Sequence, residues 1–380
     1  MFSYWEKESF LHYHHVVVGA GITGLSTAIE LKENDPEKSV LVLERGFFTT
    51  GASSKNAGFA CMGSVSELAE DLKTMKHEDV FKLFEWRKRG LEKLRSRLGD
   101  KNIGYEENGS YEIINENEIE SLDKVDFLNQ MLRPITGKDP FELSNKNASD
   151  FGFNKNNVKH IIENKCEGEL HTGKMMRALT DKAIQCGVEI KTGAEVLGFD
   201  DVGNEVVVKI KIPFSDEIIE LRSATLVIST NSFTKTLLPD EDIQPGRGQV
   251  LITHPIAKLP FKGIFHFDKG YYYFREIDGR VLFGGGRNLD FDGETTTTFG
   301  ISESIQNMLE KKLKEIILPE IDFSIDQRWS GIMAFGKDKF PIVKALSGRV
   351  FGAFRLGGMG VALGSEIAGQ VASLVWEEGH

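Results

Sequence analysis

The sequence predicts an α/β fold in which a parallel-sheet domain carries an inserted antiparallel-sheet α+β domain, and three observations carry that expectation. Between Tyr13 and Glu44 an apolar strand, a glycine-spaced turn, a helix and a second strand follow in order. The middle of the chain alternates strand-like runs with Asp-Gly and Asn-rich turns. A second glycine-rich turn opens a helix near the C-terminus. The first strand is His15 to Val18, the turn is Gly19-Ala20-Gly21-Ile22-Thr23-Gly24, and Leu25, Ala28, Ile29 and Leu31 mark the helix. Gly19 permits the tight turn, Gly21 leaves room for a pyrophosphate against the backbone, and Gly24 lets helix and strand pack closely. The helix start, with Ile22 and Thr23, turns unpaired N–H groups and a positive dipole end toward the anion. Glu44 closes the strand that begins at Ser39 and stands where a carboxylate accepts ribose hydroxyls; Arg45 follows it and is grouped with the same site. This is a Rossmann-type dinucleotide signature. A carboxylate at Glu44 repels a 2′-phosphate, which disfavours NADP and leaves NAD and FAD equal on this motif.

With 380 residues the chain is expected to form two domains. A formal charge of −11 without a basic cluster excludes a nucleic-acid surface and leaves a small molecule as the partner. Cys61, Cys166 and Cys186 are odd in number and lack CxxC spacing, which fits reduced thiols, a cytoplasmic location and neither disulfide nor zinc. Glu6, Lys7 and Glu8 interrupt any signal-peptide core, and no apolar run is long enough for an integral membrane segment. His12, His14 and His15 flank a strand whose side chains alternate between faces, so strand-end histidines rather than a metal are expected.

Further along, apolar spacing predicts a helical stretch from Ser64 to Leu98, ended by Gly99. Short strands and turns are expected from Asn102 to Phe153, with no role in cofactor binding. Thr172 is read as the cap of a helix over 173–186, with strands at 188–191 and 195–199 after it. Segments 205–212 and 217–221 read as a hairpin, and Ala224 to Ser229 as a separate strand buried on both faces. From Gln249 to Asn288 the pattern is antiparallel sheet, followed by an amphipathic helix near Ser302 to Ile317. The last turn, Gly357-Gly358-Met359-Gly360, opens a helix with Val361 and Ala362 on its apolar side. Residues 1–77, 150–240 and 330–380 are assigned to the first domain, 78–149 and 241–329 to the inserted one.

Four segments resemble the D-amino-acid oxidase superfamily of flavin-dependent amine and amino-acid oxidoreductases, which includes glycine oxidase, sarcosine oxidase and gamma-glutamylputrescine oxidoreductase. They are Val16 to Leu25, Gly51 to Phe59, Asp278 to Gly286 and Gly357 to Gly369. Ser3-Tyr4-Trp5 also looks like the leader of the gamma-glutamylputrescine branch. The resemblance implies FAD, with its adenosine end at Gly19 to Gly24 and Glu44 and its flavin between the domains. Ser53, Ser54, Asn56, Ala57 and Gly58 would meet the ribityl chain and phosphates, and the Val196 backbone the adenine. Thr230 and Asn231 replace the usual Ala-Thr-Gly turn, and Gly357 to Ala362 would lie near the flavin pyrimidine ring. Relatives that bond flavin covalently use a His or Cys where this chain has Asn56 and Ile332-Met333, so FAD is expected to be non-covalent.

The implied chemistry is hydride transfer from the carbon beside an amine nitrogen, giving an imine, with reoxidation by oxygen or another acceptor. No catalytic dyad is needed, because positioning and exclusion of water suffice. Glycine oxidases carry arginines, and sarcosine oxidases a lysine, at places corresponding to Met333, Gly358 and Ala362. Arg275 and Lys55 are the candidate replacements for a carboxylate partner, against a strand-end Arg or solvated Lys. Tyr273, with Tyr271, either walls the substrate side or packs the sheet. His266 is a base or a satisfied strand histidine. A lysine near the flavin, Lys258 or Lys262 by position, often assists oxygen in relatives. The alternative to an enzyme is a flavin-binding protein with an assembly or sensing role.

Overall fold

The computed structural model describes residues 3–211 and 217–378. The expected strand end at Ile212 and the outermost domain limits at residues 1 and 380 lie outside the described residues.

Strand His12–Val18 is central to the first sheet because its valines are buried on both faces. It pairs in parallel with Val40–Glu44 on one side and Ile218–Ile228 on the other. Glu189–Thr192 and Val350–Phe354 extend the parallel set outward, and Ile342–Ala345 closes one edge antiparallel. Helices Ile22–Asn34, His77–Leu98, Thr172–Gln185 and Gly360–Glu378 share one core against this sheet. Val206, Val208 and Leu221 cover the other face together with Val16, Val18 and Leu41.

The second sheet runs Ile325–Phe335, Gln244–Thr253, Arg280–Gly285, Tyr272–Ile277, Ile264–Phe267, Ser110–Ile114, His160–Asn164, Phe141–Leu143. All its pairings are antiparallel except that of Ile264–Phe267 with Ser110–Ile114. Phenylalanines fill its core: Phe265 and Phe274, paired across strands, stack at 4.7 Å between ring centroids.

Several sequence expectations change. The stretch 64–98 is two helices, Val65–Thr74 and His77–Leu98, because Met75 and Lys76 are extended; an apolar period that continues across a break cannot reveal it. Helix Val125–Thr136 lies where short strands and turns were expected. Its buried Asn129, a turn signal by composition, donates to the Phe141 carbonyl and accepts from the Phe141 N–H. His171, not Thr172, caps the helix Thr172–Gln185; the Thr172 hydroxyl is taken by Asn56. The two expected strands at 217–221 and 224–229 are one, Ile218–Ile228, alternating while it pairs with Val206–Lys211 and continuously buried from Thr225 on, within the parallel set. Domain limits at 77 and 150 move as well. Helix His77–Leu98 belongs to the first core and touches the C-terminal helix, where a Cβ on Gly90 would lie 2.0 Å from the Ala362 carbonyl oxygen. Strand His160–Asn164, assigned to the first domain, pairs in the second sheet.

No helix among the described residues is long and apolar enough to cross a membrane.

Candidate active site

A cavity of about 980 Å³ runs from the end of the first parallel strands to the face of the second sheet. Its first wall is the dinucleotide turn, lined by Gly19, Gly21, Ile22 and Thr23. Gly19 has φ 105°, and a Cβ there would sit 2.8 Å from the Ser229 carbonyl oxygen. Gly24 lies behind the wall rather than on it: a Cβ would be 1.9 Å from the Gly19 oxygen, so its work is helix-to-strand packing. Glu44 is buried and lines the cavity, its carboxylate held by the N–H groups of Ala20 (3.1 Å) and Gly46 (2.9 Å). Arg45 lines it beside Glu44 with its guanidinium 3.7 Å from the Phe233 ring centroid, and Val196 stands nearby on its own strand.

The short helix Ala52–Lys55 brings Ser53 against the helix start, where its Oγ accepts from the Ile22 N–H at 3.0 Å. Asn56 and Ala57 also line the cavity. The Asn56 amide donates to the Ser53 carbonyl and accepts from the Gly58 N–H and the Thr172 hydroxyl, so it shapes the turn as well. Two residues expected here do not face the cavity. Ser54 is exposed and donates to the Thr49 and Gly51 carbonyls. Gly58, at φ 75°, is needed because a Cβ would meet the Leu170 oxygen at 2.2 Å.

Thr230 and Asn231 line the far side. Asn231, at φ 47°, accepts through Oδ1 from the N–H groups of Arg355 and Leu356, fixing the entry to the last glycine turn. Gly357, Gly358, Met359, Gly360, Val361 and Ala362 then line the cavity, and the helix Gly360–Glu378 begins against it.

The second sheet supplies the opposite wall. Tyr273, His266, Lys55 and Met333 all reach it. Phe59 packs edge-on to the rings of His266 and Tyr273 at 5.0 and 5.5 Å. Burial pushes the Tyr273 hydroxyl up to about 12 and the His266 imidazole below its usual value, so both are neutral near pH 7. Lys55 holds its ammonium 5.2 Å from the Phe299 ring centroid.

Arg275 is not on this wall, which corrects the expectation that it meets substrate. Its guanidinium donates to the carbonyls of Leu170 (2.7 Å) and Gly58 (3.1 Å) and pairs with buried Glu169 at 3.3 Å. Alternation along Tyr272–Ile277 puts Tyr273 and Arg275 on one face, but Arg275 lies two residues farther on, under the ribbon Phe59–Ala60 and Gly168–Glu169. Lys258 and Lys262 are exposed and line no part of the cavity. Sequence reasoning missed Arg287 and Arg355, both cavity residues. Arg287 directly follows Gly284-Gly285-Gly286, where the recognised motif stopped one residue short. Arg355 is committed to Asp242 and Asp338.

Behind the His266 wall, two buried glutamates hold the chain that carries Cys61 to the cavity. Glu112 accepts from the N–H groups of Val65 (2.8 Å) and Ser66 (3.1 Å), and Glu167 from the Gly63 N–H (3.1 Å) and the Ser110 hydroxyl (2.7 Å). Burial pushes both carboxyls up to about 7, against the pull of these donors. A folded-state value above the unfolded one means that the folded chain binds more protons, so this contribution is full below the ordinary glutamate range and is lost as pH rises through about 7. His15, pushed down to about 4 by burial, and His266 act in the opposite sense, and their opposition fades as pH rises past the ordinary histidine value. Between about pH 6.5 and 8.5 the unfolding free energy should therefore fall by roughly 1 kcal/mol per glutamate. Urea midpoints across that range check it. Glu112→Gln should remove roughly 1 kcal/mol of the fall across that range, and a variant whose slope equals the parent's removes Glu112 as the cause.

The chain is 22% identical over 377 residues to a protein named probable oxidoreductase OrdL from Haemophilus influenzae, covering 95% of this chain and 82% of that one. Its fold matches glycine oxidase from Geobacillus kaustophilus with a TM-score of 0.76 at 18% identity, over 97% of this chain and 95% of that one. L-proline dehydrogenase from P. horikoshii matches with a TM-score of 0.75 at 18% identity, over 96% and 93%. Residues 14–374 match the DAO family, FAD dependent oxidoreductases, and the chain belongs to that family as an FAD-dependent oxidase or dehydrogenase.

Proposed function

We propose that this enzyme oxidises a primary or secondary amine, amino acids included, to an imine, using non-covalent FAD and passing the electrons to oxygen or another acceptor. The observation that carries the reading is on the wall facing the glycine turn 357–360: beside the cationic side chain of Lys55, it presents Tyr273, His266 and Met333, which are uncharged near pH 7 and bring no carboxylate to the reacting carbon. Such a wall suits a reaction in which no proton has to leave carbon separately.

The residues fit the cofactor. The bare Gly21, the helix start at Ile22 and the anchored Glu44 carboxylate form a cradle for a pyrophosphate and a ribose, and the Ser229 hydroxyl on the wall is buried without a protein partner. FAD when bound accepts the hydride from the carbon beside nitrogen. Tyr273, His266 and Phe59 pack into a rigid surface that holds the neutral amine and keeps water from it. Helix Gly360–Glu378 points its positive end into the same space, where it stabilises negative charge. Cys61 lines the cavity, but burial holds its thiol protonated, which supports non-covalent binding. Glycine and proline, the compounds in the names of two fold relatives, are a primary and a secondary amine, consistent with either class here. The free cysteines support a cytoplasmic setting.

Anaerobic mixing with a panel of primary and secondary amines tests the reading. Bleaching of the visible flavin band by at least one class is expected. A flavin that no amine reduces, while dithionite reduces it, overturns amine oxidation and favours a binding role.

A further inference from the structure

We infer that His266 passes the proton shed by an ammonium substrate to a buried acceptor, Glu112, through a single water held in a chamber behind the cavity wall. The inference rests on the amine-oxidation reading and deepens it. An amine bound as its cation must lose a proton from nitrogen before hydride can leave the neighbouring carbon.

The chamber has a volume of about 10 Å³ and is walled by Ser110, Glu112, Asn164, Glu167 and His266 among others. That is the room of about one water. His266 lines both the chamber and the large cavity, and among the described residues no other does. The sheet brings these groups together. His266 and Glu112 are partners on the adjacent parallel strands Ile264–Phe267 and Ser110–Ile114, and Ser110 is partnered on its other side by Asn164. Alternation therefore turns His266, Glu112, Ser110 and Asn164 to one face. Asn164 is 6% exposed; its Oδ1 accepts from the Cys166 N–H at 2.9 Å, while its Nδ2 has no protein partner. A buried amide donor on a polar chamber of this size marks the place of a bound water. The two carboxylates and the imidazole complete the partners that such a water needs.

The transfer balances in two moves. One ring nitrogen of neutral His266 takes the proton of the ammonium, and the other gives its own proton, through the water, to the Glu112 carboxylate. The amine keeps its lone pair, His266 is left neutral in its other tautomer, and Glu112 becomes an acid. No electron moves in these steps. Burial disfavours charge on His266 and pushes Glu112 up to about 7, so the imidazole carries the proton and the carboxyl stores it. The surrounding charges agree. Glu67, from helix Val65–Thr74, favours the passing cation on His266, and Glu118, beyond strand Ser110–Ile114, favours the acid form of Glu112. Glu167 is a second carboxyl pushed up to about 7. Tyr273, the strand partner of His266, and Cys61 stay protonated. Arg87 donates to the Met62 carbonyl, and Lys269 pairs with Glu70.

The test mixes FAD-loaded protein anaerobically with glycine, L-proline, benzylamine and pyrrolidine. The limiting rate of flavin reduction by the fastest of them is followed from about pH 6 to about pH 10. In the parent it should rise through about pH 7, as Glu112 becomes able to accept. Glu112→Gln should lower the rate at least roughly tenfold near neutrality and leave it within about threefold of the parent at the alkaline end, where the amine enters neutral. His266→Gln should show the same loss and recovery, and it carries the comparison should Glu112→Gln not hold FAD. A packing role would change the rate by one factor at every pH. Variants whose profiles coincide with the parent's or run parallel to it therefore overturn the relay while amine oxidation stands. A flavin reduced by dithionite but by none of the four amines removes both. Independently of turnover, a crystal structure of the FAD-loaded protein that resolves buried waters should place one within hydrogen-bond distance of the Asn164 Nδ2 and the His266 ring, and a chamber without it overturns the relay.

Discussion

Gly21→Val is expected to yield a folded protein that elutes without FAD. Gly21 is the extended N-cap of helix Ile22–Asn34 and lines the cavity. A Cβ there lies 2.9 Å from the Ser53 Oγ, which itself accepts from the Ile22 N–H. Two further methyl groups must displace Ser53 or fill the space in front of the helix start. Overpacking of about 1–3 kcal/mol then adds to the loss of charge-assisted hydrogen bonds from that start, about 1.5–3 kcal/mol. Together they amount to roughly 4 kcal/mol, or on the order of a thousandfold in FAD affinity. The ratio of visible to ultraviolet absorbance after gel filtration measures it, and a variant as yellow as the parent would place the pyrophosphate elsewhere. Because the helix packs through Gly24 and its own apolar face, circular dichroism should be unchanged.

For Arg275→Ala the expectation is a large loss of stability with little effect on turnover. Removing the guanidinium leaves the buried Glu169 carboxylate without its cation, and the Leu170 carbonyl and the Gly58 oxygen lose a donor. Breaking one side of a buried pair costs about 3–5 kcal/mol. The folded fraction should keep a KM for amine within about threefold of the parent, since Arg275 lines no part of the cavity. Thermal unfolding of the FAD-loaded protein and steady-state kinetics on the same preparation separate the two effects. A tenfold rise in KM with unchanged stability would return Arg275 to the substrate site.

The contrast between Arg275 and Arg287 shows how much of the site could be read in advance. Gly19, Gly21, Glu44 and the 357–362 turn act through backbone conformation and close approach, and such constraints leave a local trace as glycine spacing and a carboxylate at a strand end. Ser54 and Gly58 belong to the same local motif, yet they serve its turn and its packing, because neighbours in sequence face different ways once the short helix forms. Arg275 and Arg287 have no such trace. Both belong to one antiparallel hairpin, Arg275 within its first strand and Arg287 just past the end of its second. One is drawn under the ribbon by Glu169, more than a hundred residues earlier in the chain, while the other is left beside Phe335 and the bare Gly246.

The sequence by itself determined the dinucleotide turn, the buried parallel strands, the antiparallel sheet and the family, because these depend on period, glycine position and short-range spacing. Only the tertiary structure decided which cations face the cavity, that helix His77–Leu98 belongs to the first core, and that Glu112 and Glu167 hold the Cys61 segment from behind. Those outcomes depend on the burial and pairing of charges between distant segments, and the energy of a buried charge is set by whatever the fold brings within a few ångströms of it.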